Sequence, residues 1–447
     1  MRLLLLATLA LGAHTADFRA GVAKTHITPA THEVMWGFED RLTPAASTLD
    51  PLYARVLVLE AGKMRLAIVT LDLGRSFGPG TLAKLRETAQ RESGISCLLV
   101  SATHTHSAPV IRDEYASGPP EWERVALEKI ERAIAEATAR LVEVRIGTGA
   151  GSVAIGHNRL KPNASGGVSW FERNPGRLPT KPVDPTVSVI RIDDTHGGPI
   201  AILANYACHP VVLGSDNEQY SADFPAATHR VVEAEMGGQA MSFYLQGGAG
   251  DINPYYAVTP IRDGAVKWRD WTGERLGREI ARVAKSIHTQ ASADPSTVFS
   301  QEAMPMRLRW DEEKFKAALL KFLGPKTLEL YGAPIAREFP VSISTVLIGR
   351  QIAIATFPGE PFVDFQIDWR GRNPSRTAIL MGYTNGYHGY FPTIQAAIKG
   401  GYGAASASTW VEVGAGERIL DRATVKINEM LGRLSDLPDD LKKNVYQ

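Results

Sequence analysis

Val187–Pro210 reads VSVIRIDDTHGGPIAILANYACHP: two β-rich runs around a turn at Gly197–Gly198, the second almost unbroken in apolar character and ending at His209. A strand exposed on one face alternates polar and apolar residues, so a near-continuous apolar run predicts a strand covered on both faces. The layout recurs twice. Arg55–Leu73 (RVLVLEAGKMRLAIVTLDL) turns at Ala61–Lys63, and Val341–Pro361 (VSISTVLIGRQIAIATFPGEP) turns around Gly349–Arg350. Helical patterns fall between these hairpins, at Pro79–Gln90, Pro120–Arg140, Asp223–Met236, Gly273–Thr289, Asp311–Leu323 and Ala415–Leu431. Ser96–Ser101 is a further short strand. This alternation predicts an α/β fold, a mixed β-sheet with surrounding helices in one large domain. Asn158–Pro185 is rich in Pro, Gly and aromatic residues without periodicity, and it reads as a long surface loop.

With 44% hydrophobic and 22% charged residues, the chain is not of disordered composition. Lys and Arg total 49 against 48 Asp and Glu, with no basic stripe, so nucleic acid is not an expected partner. Residues 1–16 read as a signal peptide: Arg2, the apolar run Leu3–Leu11, and a small-residue stretch ending at Ala16. That run is too short to span a bilayer, and no later segment reads as transmembrane. A secreted or periplasmic protein is expected, with a tether at the membrane as the alternative. Cys97 and Cys208 both lie in apolar runs, where a disulfide and two buried thiols are equally compatible readings. No CxxC motif occurs, so a metal site would need His and carboxylate ligands.

Ser101–Pro109 (SATHTHSAP) carries His104 and His106 two apart after an apolar strand. If the strand conformation persists, both imidazoles face one side, a common way to hold zinc. A hydrogen-bonded histidine pair is the alternative. Asn205–Gly214 (NYACHPVVLG) places His209 at another strand end, and Phe357–Phe362 (FPGEPF) places Glu360 in a turn stiffened by two prolines. Gly382–Thr393 (GYTNGYHGYFPT) is dense in tyrosine, with His388 inside it. Gln246–Pro254 (QGGAGDINP) contains Asp251 but matches neither a phosphate loop nor a dinucleotide fingerprint. Trp170, Trp268 and Trp271 are aromatics that would suit a polar ring.

These segments, together with GVAKTHITP (Gly21–Pro29) and SADFP, stand in the order found in the neutral/alkaline non-lysosomal ceramidase family, which the chain resembles as far as about Gly403. The resemblance implies one Zn2+ per chain and hydrolysis of an amide. It implies His104, His209, Glu360 and Tyr390 as ligands, with Tyr387 a second choice or a substrate contact. It further implies His106 beside the reacting group, and Arg159 and Tyr402 facing substrate. Two imidazoles and a carboxylate leave zinc an open position for water.

Two departures stand out. The family's GD-x-x-P turn carries a serine with a proposed catalytic role; here Asn253 occupies that position, and Asp251 and Asn253 are this turn's catalytic candidates, although Asn253 can hydrogen-bond an oxyanion but cannot attack a carbonyl. The C-terminal β-sandwich of full-length ceramidases has no counterpart, so the expected layout is a catalytic domain over 17–435 and a charged tail over 436–447. The expected substrate is an N-acyl or other carbonyl-bearing small molecule, lipid or glycoconjugate, ceramide being one case. Ester or glycan-linked substrates and a non-catalytic binding protein are the competing readings.

Overall fold

A computed structural model describes residues 18–331 and 336–434. The expected signal peptide and the charged tail lie outside the described residues. Twelve strands in chain order build the two main sheets: β1 (Arg19–His26), β2 (Tyr53–Ala61), β3 (Met64–Leu71), β4 (Cys97–Ala102), β5 (Val142–Ser152), β6 (Thr186–Asp194), β7 (Pro199–Tyr206), β8 (Met241–Gln246), β9 (Thr297–Arg307), β10 (Glu338–Ile348), β11 (Ile352–Thr356) and β12 (Thr377–Met381). Eight form a mixed sheet in the order β8-β7-β6-β5-β1-β2-β3-β4, and four form a second sheet, β9-β10-β11-β12. The expected mixed sheet is present. Its partner sheet was not separable from it in the sequence.

All three expected hairpins are antiparallel pairs: β2 with β3, β6 with β7, and β10 with β11. Each hairpin's second strand then pairs in parallel with a later strand: β3 with β4, β7 with β8, β11 with β12. The crossovers carry helices α1 (Pro79–Ser93), α3 (Phe224–Glu235) and α6 (Val363–Arg372), because a parallel neighbour needs a long connection. The remaining helices are α2 (Glu121–Ala139), α4 (Ala265–Ser286), α5 (Glu312–Tyr331), the short α7 (Ile394–Lys399) and α8 (Ala415–Met430).

Strand periodicity explains the layers. Along β2, Val56 and Val58 join a core containing Leu82, Leu85 and Ile130 of α1 and α2, while Leu57 and Leu59 point the opposite way. That second core also receives Ile190 and Ile192 of β6, Val346 and Ile348 of β10, and Ile352 and Ile354 of β11. It is therefore the interface between the two sheets. Ala353 and Ala355 face Ile419 and Leu420 of α8 on the far side. The result is a helix–sheet–sheet–helix stack whose central strands are covered twice, hence their continuous apolar character.

Several sequence boundaries are corrected. Asn158–Pro185 is not simply a surface loop: Leu160–Pro162 pairs with Val168–Trp170, and Asn174 and Asp184 are buried. The Asp184 carboxylate receives Gln366 and Arg370 of α6, which anchors the segment to the body. Helix α4 begins at Ala265, well before Gly273, after Gly264 in the left-handed region. Helix α5 continues past Leu323 across a non-helical Gly324 (φ 74°). Cys97 and Cys208 are free buried thiols, and burial raises the Cys97 pKa to about 12. Among the described residues no helix is long and apolar enough to cross a membrane.

Candidate metal centre

The three parallel strand pairs end at one place. Open α/β sheets gather ligands beyond the carboxyl ends of their strands, and here three such ends converge. The loops after β3 and β4 bring Gly74 and His104, those after β7 and β8 bring His209 and Ala249, and those after β11 and β12 bring Glu360 and Tyr383, Tyr387 and Tyr390. Glu360–Pro361 and Tyr390–Phe391 also pair directly as a short parallel bridge.

His104 does not continue its strand. Its φ is 70°, a left-handed value uncommon for residues other than glycine, so the condition of a persisting strand is not met, and a turn rather than strand alternation brings its ring to that of His106. The turn is held by the His104 N–H donating to the Leu73 carbonyl at 2.9 Å. It points the ring inward, where Nδ1 donates to the Gly74 carbonyl. His209 is arranged alike, with Nδ1 on the Ala249 carbonyl. A carbonyl only accepts, so both rings carry their proton on Nδ1 and present Nε2 as a lone pair.

Those two lone pairs face one carboxylate oxygen. Glu360 Oε2 lies 3.3 Å from His104 Nε2 and 3.0 Å from His209 Nε2. Burial lowers the pKa of His209 to about 4, helped by the nearby charge of Arg159, so this ring is neutral at pH 7. Three buried acceptors at such distances repel one another unless a cation lies between them. Tetrahedral zinc with bonds of about 2.0–2.1 Å sets its ligand atoms about 3.3 Å apart. The residues present fit that ion.

Further side chains orient the carboxylate. Tyr387 donates its hydroxyl to Glu360 Oε1, and the Tyr383 hydroxyl reaches Oε2 at 3.4 Å. Tyr383 also stacks on His104 with ring centroids 4.2 Å apart. Sequence reasoning missed Tyr383; the available signal was its place directly after the apolar run that becomes β12. Tyr390 sits differently from Tyr387, its phenol accepting from Arg159 Nη2 at 2.9 Å. Burial holds the phenols of Tyr387 and Tyr390 well above their usual pKa.

The ligand atoms of His104, His106 and His209 lie within 4.8 Å of one another, a second candidate ligand set. His106 Nε2 is 3.3 Å from His104 Nε2, but its buried Nδ1 has no hydrogen-bond partner to fix the ring as the carbonyls fix the others. Ordered outer partners normally accompany metal-ligating histidines, which favours Glu360 as the third ligand. Burial lowers the His106 pKa well below its usual value, with His104 and His209 adding to the effect. Gly37 (φ 103°) lies against this ring so closely that an added Cβ would come within 2.2 Å of Nδ1.

The remaining sequence candidates divide. Arg159 is buried; it donates to the Gly250 carbonyl at 2.7 Å and to Asn253 Oδ1 at 3.1 Å, and it lies over the rings of Trp170, Tyr390 and Tyr402. Asn253 thus engages Arg159 rather than the metal cluster. Asp251 is a buried clamp, accepting from Asn158 Nδ2 at 2.6 Å and from the Val363 N–H at 2.8 Å. Trp268 and Trp271 pack against Tyr256 and do not join the site. A cavity of about 90 Å³ opens over the cluster, its wall including Trp36, Glu39, Arg75, Tyr402 and Trp410. Of these, the sequence had indicated only Tyr402.

A family model for the N-terminal region of neutral/alkaline non-lysosomal ceramidases matches residues 18–257. No curated protein matches the chain. Among solved structures, neutral ceramidase from Pseudomonas aeruginosa superposes with a TM-score of 0.74 at 19% identity, covering 96% of this chain and 77% of that one. A ceramidase complexed with C2 gives 0.73 at 19% identity, covering 95% and 77%. The fold is that of neutral ceramidase, and this chain belongs to the neutral/alkaline non-lysosomal ceramidase family.

Proposed function

We propose that this protein is an exported, zinc-dependent amidohydrolase that cleaves an N-acyl bond, with residues 17–435 as its catalytic domain. The observation that carries the reading is the facing of His104 Nε2, His209 Nε2 and the Glu360 carboxylate at the base of an aromatic-walled cavity. Those three residues hold the ion, with the Tyr390 phenol beside them as the fourth candidate. Zinc at this position would lend Lewis acidity to a water and to the substrate carbonyl.

The chain's own groups do the rest. His106, neutral and next to His104, is the group placed to accept a proton from the attacking water and return it to the departing amine. Tyr390, whose phenol accepts from Arg159 Nη2 and keeps its own proton to donate, is the group for negative charge developing on the carbonyl oxygen, and Arg159 polarises it from behind. Asn253 supports this pair through Arg159, a role that needs no nucleophile. The family includes enzymes that act on a lipid amide, and an N-acylated amine is the substrate class proposed here. The test is hydrolysis of a panel of N-acylated amines by the purified protein before and after chelation. Turnover lost on chelation and restored by zinc is expected; chelator-insensitive turnover would refute the mechanism.

A further inference from the structure

Arg75 is the only Lys or Arg side chain in the wall of the cavity above the metal cluster, among the described residues. It follows Gly74, whose carbonyl holds His104, so the chain that sets the ligand also sets this guanidinium. Arg75 is 2% exposed. It lies over the Tyr387 ring at 5.0 Å, the same tyrosine that donates to Glu360. Nε donates to the Ser76 carbonyl at 3.1 Å and Nη2 to Asp113. These contacts fix the plane of the fork and leave Nη1 with no protein acceptor among the described residues. Arg159, by contrast, spends both terminal nitrogens on protein and is not among the residues of the cavity wall.

We infer that Arg75 is a specificity-determining residue whose free Nη1 binds a carboxylate on the amine half of the substrate. The substrate class is then an N-acylated amino acid, a narrower statement that rests on the amidase reading. Three features support it. Arginine on an aromatic face with one edge engaged is a preorganised donor for a planar oxyanion. The cavity is small and lined by Trp36, Tyr387 and Trp410, so a charge bound inside it is weakly screened. On its far side Arg75 borders a second cleft carrying Arg86 and Arg112 as well as Asp113 and Glu114, so its surroundings do not leave an excess of negative charge. Glu39 is in the same cavity wall, and its pKa is raised by burial. The substrate carboxylate is therefore assigned to the Arg75 side.

The test uses a matched pair, N-lauroylglycine and N-lauroylethanolamine, which differ in carboxylate against hydroxymethyl. The zinc-loaded wild type is expected to favour the glycine conjugate in kcat/KM. In Arg75→Gln the ratio of the two kcat/KM values should fall roughly ten-fold or more, mostly through KM, as for loss of a hydrogen bond to a charged group. Arg75→Lys should restore part of the ratio. A merely structural role, acting through Tyr387 and Glu360, would lower both substrates together and leave the ratio unchanged, which overturns the inference. A wild type that prefers the ethanolamine conjugate overturns it too, while leaving zinc amidase activity intact. If neither conjugate turns over, the amidase reading has failed; calorimetric binding of N-lauroylglycine by the zinc-loaded protein then decides the inference by itself. Binding weakened roughly ten-fold in Arg75→Gln supports it, and equal or absent binding overturns it.

Discussion

Tyr387 shows how much of the centre depends on single hydroxyls. Its phenol fixes Glu360 Oε1 while two imidazoles face Oε2, so Tyr387→Phe frees the carboxylate to rotate without removing a ligand. Outer partners of this kind are worth about 10–100-fold in metal affinity or activity. Competition with a zinc chelator should show a loss in that range; unchanged affinity would mean the tyrosine does not orient the ligand. Asp251 makes a different demand. Burial raises its carboxyl pKa to about 7, against the pull of the Val363 N–H and the Asn158 amide. An acid that holds its proton more tightly in the folded state favours folding at low pH. That contribution is lost as pH rises from about 4 to about 7. Asp251→Asn should therefore gain melting temperature relative to wild type between pH 5 and pH 8, despite a constant cost from facing the Asn158 amide. Parallel curves would contradict the assignment. His104, His209 and Glu360 were legible in the sequence because each sits in a short motif at the end of an apolar run. Tyr383 and Arg75 were not, because their importance arises only when loops from distant parts of the chain meet.

At the scale of elements, the apolar runs gave away the strands but not their neighbours. Leu57 and Val58 look alike in sequence, yet one faces the second sheet and the other the helices. A run covered on both faces therefore cannot say what covers it, and the division into two sheets stayed hidden. The Leu160–Trp170 hairpin was invisible for a different reason: strands of three residues are too short to show a period. Helices α3 and α4 were visible, but their close approach was not. It depends on Gly273, where an added Cβ would come within 2.2 Å of the Phe224 carbonyl oxygen. Gly273→Ala is expected to destabilise the protein by about 1–3 kcal/mol, since overpacking forces the helices apart. Gly371, in α6 with open space around it, is the control. There alanine should stabilise by about 0.4–1 kcal/mol through the unfolded chain. Denaturant unfolding of both variants checks the pair, and equal effects would contradict the packing account.

For the whole molecule, the repeated unit of hairpin, helix and parallel strand explains why the candidate metal ligands gather here at all. Three copies of the unit, two in one sheet and one in the other, direct their strand ends to a single point. Each copy supplies one of the three proposed ligands: His104, His209 and Glu360. Asn253 and Arg75 bear on the proposed substrate rather than on the proposed ligand set. The most direct measurement is zinc per chain by elemental analysis, on protein purified without added metal and reloaded under limiting zinc. The account expects close to one zinc per chain in the wild type and a near-empty site in His104→Ala and Glu360→Gln, both still folded by circular dichroism. Zinc retained in those variants, or a wild type that takes up none, would contradict it.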